Sequence, residues 1–304
     1  MSTPIFEIKK SCLYTTFQDL GRYGYQKYGV VTSGAMDRYS FNMANLLVGN
    51  PLYSAVLEVT LVGPMLLFTA SATFAICGAN LSPTLNDVPI RTWKTYTAHK
   101  GDILNFGKPI EGVYAYLAVS GGFDLKQSMG SFSTYTKAEL GSTLHNGDLI
   151  YGSPSVLKRN RGLSTRYIRN FPETVTIRYI PGPHLQYFES ESITNFENQS
   201  FTFKQGDRMG SRLQSSQPLK FLNTNQLPSD PIPFGAIQIP PNGHPIVLLA
   251  DRQTTGGYPR IGTIISVDIP RFAQLPRFGT VYFKQVTIEQ AQKKMFNVKR
   301  NFFF

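Results

Sequence analysis

The feature that most constrains the fold of this chain is a long series of short apolar runs, rich in β-branched residues and separated by turn residues. The 304 residues include 26 glycines and 20 prolines. Runs of this length and composition predict strands, and closely spaced turns between them are typical of sandwiches and barrels. The alternation of strands and helices that a doubly wound sheet requires is absent. The sequence therefore predicts a mainly β protein, with strands at Ile5–Ile8, Ala55–Val59, Met65–Thr69, Thr73–Cys77, Ile103–Phe106, Val113–Val119, Val175–Ile180, Phe201–Phe203, Ala236–Ile239, Ile246–Ala250, Thr263–Val267 and Thr280–Lys284.

Helices are few and short, and the chain divides into two halves. We predict helices at about Arg38–Val48, His184–Ser190, Ile269–Leu275 and Ile288–Asn297. Residues 1–155 form an N-terminal β-rich half, residues 156–172 a polar and basic linker, and residues 173–304 a C-terminal β-rich half with a C-terminal helix. We expect two β-barrel-like halves with a shared site between them, since clefts between domains often hold ligands.

Composition restricts the compartment and the partners. Cys12 and Cys77 are the only cysteines, they are far apart, and the N-terminus has no apolar stretch of the kind that signal peptides contain. The apolar runs are too short to cross a membrane as helices. We therefore expect a cytoplasmic protein that does not bind membranes.

The net charge of +11 raises the question of nucleic acid as a partner. No recognition helix, zinc finger or RNA-binding signature accompanies the basic residues, so we expect no nucleic-acid binding. We interpret the basic clusters as solvated surface or as faces toward an acidic protein partner; they are Lys158–Arg161 with Arg166 and Arg169, and Lys293, Lys294, Lys299 and Arg300.

The strongest candidate site is the stretch Leu248–Gly262. The apolar run Ile246–Ala250 ends abruptly in five polar residues, Asp251 to Thr255, which Gly256 and Gly257 follow. Polar side chains beside flexible glycines at the end of a buried strand are typical of small-ligand sites. A hydrogen-bonded turn that closes a sheet edge is the alternative.

Three further segments share this character: Thr15–Gly29, Ser33–Asp37 and Gln205–Gly210. Asp37 is well placed to cap the helix that follows it, and a catalytic role is the alternative. Asp207-Arg208 repeats the Asp-Arg order of residues 251 and 252, and the two residues could form an internal ion pair or contact a ligand.

The common catalytic motifs are missing. The sequence has no phosphate-binding glycine loop, no dinucleotide fingerprint and no nucleophile elbow, and its four histidines are isolated. Chemistry would then depend on Asp, Glu, Arg, Gln, Thr and Tyr held by rigid loops. Such groups suit the positioning and charge stabilisation of a small molecule that carries an amide or a carboxylate, and no metal site is expected.

Several motifs together resemble one family. In chain order they are Gln18–Gln26, Ser33–Asp37, Ala44–Asn50, Cys77–Leu81, Asp207–Gly210 and Ala250–Pro259. With this order the chain resembles the KipA-like family, which includes the C subunit of 5-oxoprolinase, and is similar to allophanate hydrolase subunit 2 and the matching half of the urea carboxylase carboxyltransferase domain. The resemblance extends from Phe6 to Phe283.

The resemblance implies a fold, partners and an activity. The fold would be β-rich, with cyclophilin-like barrels. The partners would be one subunit of the KipI-like type and another of the LamB/YcsF type. Together the three chains would hydrolyse 5-oxoproline to glutamate with ATP, without a covalently bound cofactor on this chain, and we expect the chain to be inactive alone. A carboxyltransferase subunit that uses carboxybiotin is one alternative, and a non-catalytic antagonist that binds a KipI-like kinase inhibitor is another.

The candidate site residues follow from these motifs. The catalytic candidates, for ligand anchoring or charge stabilisation, are Asp251, Arg252, Asp207 and Arg208. Glu58 lies in an apolar strand, where it could face solvent or the site. The full set of substrate-binding candidates is Gln18, Asp19, Arg22, Ser33, Asp37, Glu58, Gln253, Thr254, Thr255, Gly256, Gly257 and Tyr258.

Overall fold

The computed structural model describes residues 2–12, 14–222 and 227–302. The chain forms two compact units: unit 1 comprises residues 1–23 and 33–171, and unit 2 comprises residues 24–32 and 172–304. The segment that we expected to be a linker belongs almost wholly to unit 1. The Arg161 N–H donates a hydrogen bond of 2.7 Å to Thr95 Oγ1, and the Arg169 guanidinium lies 3.7 Å from the centre of the Tyr39 ring. These contacts place the boundary between Phe171 and Pro172.

Unit 1 consists of two sheets around one core. Its strands are β1 (Thr3–Lys10), β2 (Thr15–Gln18), β3 (Val56–Thr60), β4 (Met65–Phe68), β5 (Ala72–Asn80), β6 (Thr84–Leu85), β7 (Val88–Pro89), β8 (Thr95–Ala98), β9 (Ile103–Asn105), β10 (Glu111–Val119) and β11 (Leu149–Gly152). One sheet has the order β11-β1-β4-β9-β6-β7 and the other β2-β3-β10-β5-β8.

The core of unit 1 draws on side chains from both sheets. Phe6 of β1 packs on Phe68 of β4 with ring centres 4.6 Å apart, and Phe68 contacts Phe74 of β5 at 5.4 Å. All three rings are buried and belong to one apolar cluster, which also includes Phe17 of β2. Burial of these aromatic rings stabilises the stacking of the sheets.

Helix α1 (Arg38–Val48) begins and ends where the sequence predicts. The Asp37 carboxylate accepts hydrogen bonds from the N–H and the hydroxyl of Ser40, which satisfies a donor that the first turn leaves open. Gly49 ends the helix with φ of +78°, a left-handed conformation that glycine adopts without strain. The capping interpretation of Asp37 is confirmed.

Unit 2 is built on a closed barrel. Its strands are β12 (Thr174–Pro181), β13 (Phe201–Gly206), β14 (Gly210–Gln214), β15 (Asp230–Pro231), β16 (Ala236–Gln238), β17 (Ile246–Leu248), β18 (Thr255–Gly256), β19 (Arg260–Ile264) and β20 (Thr280–Gln285). Seven of them close in the order β12-β19-β16-β17-β14-β13-β20, with β12 and β20 paired in parallel. The short strands β15 and β18 form a separate pair.

The helices of unit 2 are α2 (Ser190–Asn198), α3 (Ile269–Ala273) and α4 (Ile288–Phe302). Phe196 anchors α2 to the barrel, since its ring stacks on Phe283 of β20 at 4.7 Å and meets Tyr179 of β12 edge-on at 5.3 Å. The mainly β class with few helices is confirmed, because the described residues form twenty strands and four α-helices.

Several predicted elements differ from the structure in their type or in their ends. His184–Ser190 is not one helix, because Phe188 is extended and bridges Phe221; the segment contains the 3-10 turn Leu185–Tyr187, and Ser190 begins α2. The strand predicted at Thr263–Val267 is β19, which ends at Ile264, because the chain turns back where the Asp268 N–H bonds the Ile265 carbonyl at 2.9 Å.

Within the described part of the chain, no helix has the length and apolar character needed to cross a membrane.

Candidate functional site

The β13–β14 turn contains Asp207-Arg208, the first of the two Asp-Arg dipeptides in the sequence. The Asp207 carboxylate accepts hydrogen bonds from the N–H groups of Met209 (2.8 Å) and Gly210 (3.3 Å). Aspartate commonly shapes turns in this way. Asp207 is exposed, whereas the neighbouring Arg208 side chain is buried. The two neighbouring side chains therefore differ in their access to solvent and ligands.

Arg208 forms an ion pair with Asp251 across two loops. Its Nε and Nη2 donate hydrogen bonds of 2.9 and 3.1 Å to the two carboxylate oxygens, and the side chains are 4% and 3% exposed. Such a two-fold contact is among the strongest polar interactions in proteins. The sequence left open whether Asp207 and Arg208 form an internal ion pair or contact a ligand, and the structure pairs Arg208 with Asp251 of the second loop.

The backbone joins the same two loops. The Asp251 N–H donates to the Arg208 carbonyl at 2.8 Å, and the Leu249 N–H donates to the Met209 carbonyl at 2.9 Å. The buried ion pair thus fixes the end of β17 against the β13–β14 turn. The Asp251 side chain is buried and both of its carboxylate oxygens accept hydrogen bonds from Arg208, which favours a structural role for this pair.

Arg252 is held by backbone carbonyls and an aromatic ring. Its Nε donates a hydrogen bond of 2.9 Å to the Ile232 carbonyl, and its Nη1 donates one of 3.3 Å to the Leu249 carbonyl. The guanidinium lies 5.5 Å from the centre of the Phe234 ring. These contacts orient the polar loop that follows β17.

A cavity of about 480 Å³ opens beside these loops in unit 2. That volume lies in the roughly 300–1,000 Å³ range of small-molecule sites. Three predicted site residues line it: Asp207, Gln253 and Tyr258. The other lining residues are Gln205, Gly206, Met209, Gly210, Arg212, Gln238, Ile246 and Leu248. The wall therefore combines three side-chain amides, one carboxylate and one guanidinium with apolar surface.

Sequence reasoning missed Gln238 and Arg212, and it placed Gln205 in a candidate segment without naming it as a site residue. Gln238 ends β16, is 1% exposed, and its Nε2 lies 3.4 Å from the Tyr258 carbonyl. A polar residue inside the apolar run Ala236–Ile239 was the signal that could have identified it. Gln205 and Arg212 stand directly opposite each other on β13 and β14, a relation that only the pairing of the strands reveals.

The two loop glycines have different surroundings. A Cβ on Gly256 would lie 2.9 Å from Gln238 Nε2 and 3.4 Å from Gln253 Nε2, two amides that line the cavity. A Cβ on Gly257 would instead meet the Leu227 carbonyl oxygen at 3.2 Å. Neither glycine has a positive φ, so neither of them supplies a left-handed turn.

The remaining loop residues lie around the β15–β18 pair. The Thr254 carbonyl accepts a hydrogen bond of 3.0 Å from the Ile232 N–H. Thr255 is exposed and pairs with Pro231 in the short ladder, beside the pairing of Gly256 with Asp230. The hydroxyls of Thr254 and Thr255 stay predicted ligand contacts, and neither residue lines the cavity.

The predicted site residues of unit 1 form a buried polar network. The Asp19 carboxylate accepts hydrogen bonds from the hydroxyls of Ser131 (2.7 Å) and Ser133 (2.5 Å). Gln18 donates to the Thr134 carbonyl at 3.1 Å, and Arg22 Nη2 donates to the Ser133 carbonyl at 2.8 Å. These residues tie the segment after β2 to the loop at 128–134.

A second network surrounds Glu58 of β3, which is fully buried. Its Oε2 accepts hydrogen bonds from the Met36 N–H (2.9 Å) and the Tyr116 hydroxyl (2.8 Å), so the interpretation of Glu58 as a solvent-facing acid is wrong. The Asp37 N–H also bonds the Tyr116 oxygen, at 2.7 Å. Ser33 nearby in sequence has φ of +56° and a buried Oγ without a hydrogen-bond partner among the described residues. Uncommon backbone angles of this kind cluster at functional sites.

Burial raises the pKa of three groups in unit 1, the Cys77 thiol and the phenols of Tyr116 and Tyr39. It raises the pKa of Tyr116 well above its usual value, with the nearby Glu58 and Asp37 charges acting in the same direction. Burial and then Asp37 raise the pKa of Cys77, which fits an inert thiol. The pKa of Tyr39 is raised to about 12 by burial, against an opposing effect of Arg169.

The predicted site residues therefore fall into two sets. Gln18, Asp19, Arg22, Ser33, Asp37 and Glu58 belong to unit 1, and the others belong to unit 2. Each set is organised by contacts within its own unit, and the expectation of one shared site stays a prediction. No three histidine, cysteine or acidic side chains of the described segments come together in a way that could hold a metal ion.

Known proteins are similar in sequence to this chain over nearly its whole length. The carboxyltransferase domain, subdomain A and B, matches residues 28–285. The chain is 35% identical over 303 residues to the C subunit of 5-oxoprolinase from Escherichia coli, with 98% of this chain and 96% of that protein covered. It is 34% identical over 284 residues to the C subunit of 5-oxoprolinase from Haemophilus influenzae, with coverage of 91% and 90%.

A solved structure shares the fold. The urea carboxylase of Kluyveromyces lactis superposes on 98% of this chain with a TM-score of 0.90 at 28% identity, and the superposed part is 29% of that larger enzyme. The family match covers most of the chain, and two relatives exceed 30% identity over nearly their whole length. The chain therefore belongs to the family of carboxyltransferase domains with subdomains A and B.

Proposed function

We propose that this chain is the C subunit of an ATP-dependent 5-oxoprolinase complex, which hydrolyses 5-oxoproline to glutamate. One observation carries the proposal: the similarity to the 5-oxoprolinase protein extends over 98% of this chain and 96% of the Escherichia coli relative. The urea amidolyase of Saccharomyces cerevisiae, by contrast, is 28% identical, and this chain covers only 17% of it.

The chemistry of the cavity in unit 2 supports the proposal. 5-Oxoproline contains a cyclic amide with one N–H donor and one carbonyl acceptor. The side-chain amides of Gln205, Gln238 and Gln253 offer both a donor and an acceptor each, so they can pair with that cyclic amide. Met209 and Leu248 add the apolar contact that a ring of methylenes prefers.

The residues that line this cavity also support a division of labour, in which this chain binds substrate and partner chains supply the catalytic groups. No serine, cysteine or histidine is among the described residues that line this cavity, so its described wall lacks a nucleophile with an adjacent base. Asp207 is the only acid among them, and that carboxylate is engaged with two backbone N–H groups. On this proposal the chain binds and positions substrate, and two partner chains, one KipI-like and one of the LamB/YcsF type, complete the catalytic machinery.

A carboxyltransferase subunit is the second candidate. It is favoured by the family match over residues 28–285 and by the TM-score of 0.90 with a urea carboxylase. If the chain is a carboxyltransferase subunit, the cavity would receive carboxybiotin from a separate carrier, and the ureido group of biotin would form hydrogen bonds with the glutamine amides.

Reconstitution tests the proposal. The chain is mixed with its KipI-like and LamB/YcsF-type partners, ATP and 5-oxoproline, and glutamate is measured. We expect glutamate formation that requires ATP and all three chains. The chain alone should form no glutamate, and turnover by the isolated chain would contradict the division of labour.

A matched assay separates the two candidates. The same preparation is given a carboxybiotin-loaded carrier and urea in place of 5-oxoproline and ATP. Carboxyl transfer without any glutamate formation in the first assay would reject the 5-oxoprolinase proposal in favour of the second candidate.

A further inference from the structure

A second, smaller cavity of about 170 Å³ adjoins the first one in unit 2. Both cavities share Gln205, Arg212 and Ile246 in their walls. These three residues lie in register on adjacent strands, with Gln205 opposite Arg212 and Arg212 opposite Ile246. Side chains directly opposite each other lie on the same face of a sheet, so the three form one ridge between the cavities.

The charge of the smaller cavity differs from that of the larger one. Lys204, Arg212 and His244 line it, and no aspartate or glutamate is among its described lining residues. The acid Asp207 lines only the larger cavity. Arg277 adds a further positive charge nearby, because its Nε donates a hydrogen bond of 3.1 Å to the Lys204 carbonyl. The smaller cavity is therefore electropositive, without a compensating acid in the described part of its wall.

The Arg212 guanidinium is available for a ligand. It has no hydrogen-bond or ion-pair partner among the described residues, in contrast to Arg208 and Arg252, which are both held by protein groups. Gln205 beside it also lacks a side-chain partner in the described part of the chain. His244 is half-buried, and its Nδ1 makes no hydrogen bond to any described residue. Hydrogen-bond donors therefore line the smaller cavity without protein acceptors in the described part of the chain.

We propose that the smaller cavity is a phosphate subsite, in which Lys204, Arg212 and His244 bind the phosphate group of a ligand whose remainder occupies the larger cavity. Arg212 lies in the wall of both cavities, so it would contact the phosphate where the ligand passes from one to the other. This inference goes beyond the proposed function, since it assigns phosphate recognition to this chain rather than to its partners.

Phosphate fits this arrangement better than a carboxylate does. A carboxylate has two oxygens in one plane, and a single arginine fork satisfies both of them. Here three nitrogen-bearing side chains come from three places in the chain: Lys204 on β13, Arg212 on β14 and His244 before β17. Three donors that approach from separate elements match the three free oxygens of a terminal phosphate.

Calorimetry on the full-length chain tests the inference with two probes, inorganic phosphate and ATP. We expect both to bind and to compete with each other. Arg212→Gln and Lys204→Gln should each weaken binding by about tenfold, the size expected for the loss of one charge-assisted contact. The matched control is Lys284→Gln, which removes one exposed positive charge from β20 and lines neither cavity. It should change affinity by less than about twofold, because exposed charges at a distance are screened.

The two probes also identify the source of the phosphate. ATP that binds more tightly than inorganic phosphate, with both weakened by Arg212→Gln, indicates a nucleotide. Equal affinities indicate a smaller phosphate compound. Both results support the subsite, and Arg212→Lys should recover only part of the affinity because lysine lacks the planar fork.

Three outcomes would overturn the inference. One is the absence of phosphate and ATP binding both by the chain and by its complex with the KipI-like partner. Another is binding that Arg212→Gln and Lys204→Gln leave unchanged. A third is an effect of these variants on 5-oxoproline binding alone, which would make the cavity a carboxylate site. The readout is binding rather than turnover, so failure here would leave glutamate formation by the reconstituted complex as a separate result.

Discussion

The Arg208–Asp251 ion pair gives the sharpest prediction. Asp251→Asn keeps the shape of the side chain but removes its charge, so the guanidinium of Arg208 loses the carboxylate that it pairs with in a site where it is only 4% exposed. Removal of one partner from a buried ion pair typically costs about 3–5 kcal/mol, because the remaining charge stays desolvated. We therefore expect the free energy of unfolding of unit 2 to fall by about that amount.

The assay has to distinguish the two units. The chain contains one tryptophan, Trp93, and it lies in unit 1, so its fluorescence does not report on the barrel directly. Hydrogen exchange of peptides from β14 and β17 measures the opening of unit 2 instead. Exchange in those peptides should accelerate by more than about a hundredfold in Asp251→Asn, which follows from about 3 kcal/mol at about 1.4 kcal/mol per factor of ten.

A double variant supplies the control. Arg208→Met with Asp251→Leu removes both charges and fills the space with apolar groups, an exchange that is often neutral or stabilising for buried pairs. We expect its exchange rates to return close to those of the wild type. If Asp251→Asn abolished the activity of the complex and left exchange in β14 and β17 within about threefold of wild type, Asp251 would be a ligand-binding residue rather than a structural one. The reasoning from the buried ion pair would then be refuted.

Three further predictions concern the same unit. Arg252→Lys should destabilise unit 2 by about 1.5–3 kcal/mol, because lysine cannot replace both carbonyl contacts of the guanidinium, and a denaturant midpoint equal to wild type would contradict this. Gly256→Ala should reduce glutamate formation by the complex far more than the matched Gly257→Ala, because only a Cβ on Gly256 would contact side-chain amides that line the cavity. Equal losses in the two variants would contradict this prediction. Burial lowers the pKa of His184, and its Nδ1 accepts a hydrogen bond from the Arg260 N–H, so protonation is easier in the unfolded chain. Its contribution to stability should be complete above pH of about 6.5 and be lost as the pH falls, and His184→Gln should flatten that part of the stability profile; an unchanged profile would contradict the assignment.

Local rules made much of the fold predictable. The helix Arg38–Val48 was predictable with close to its observed bounds, since both of its ends are set by neighbours in sequence: Asp37 caps the first turn and Gly49 takes the left-handed angle at the end. The polar loop after β17 was recognisable for the same reason, because a sudden change from apolar to polar residues marks a strand end. The motif order was specific enough to indicate the family, which the comparisons confirm.

Non-local contacts decided what local rules could not. Phe188 is extended because it bridges Phe221, and this contact prevents the helix that the sequence pattern predicted at His184–Ser190. Glu58 sits in a strand that could present it to solvent, yet Met36 and Tyr116 approach it from distant parts of the chain and bury it. No pattern of neighbouring residues contains that information.

The sequence by itself determined which segments carry polar chemistry, because glycines, turn residues and clustered polar side chains reveal strand ends and loops one segment at a time. Only the tertiary structure decided which of those side chains line a cavity. Closure of the barrel pairs Arg208 with Asp251 and removes both from the surface, whereas the β13–β14 register leaves Arg212 and Gln205 at the cavity wall without protein partners in the described part of the chain. Both arrangements depend on strands far apart in sequence. Those distant neighbours decide whether a charged side chain such as Arg208 is buried in an ion pair or, like Arg212, lines a cavity.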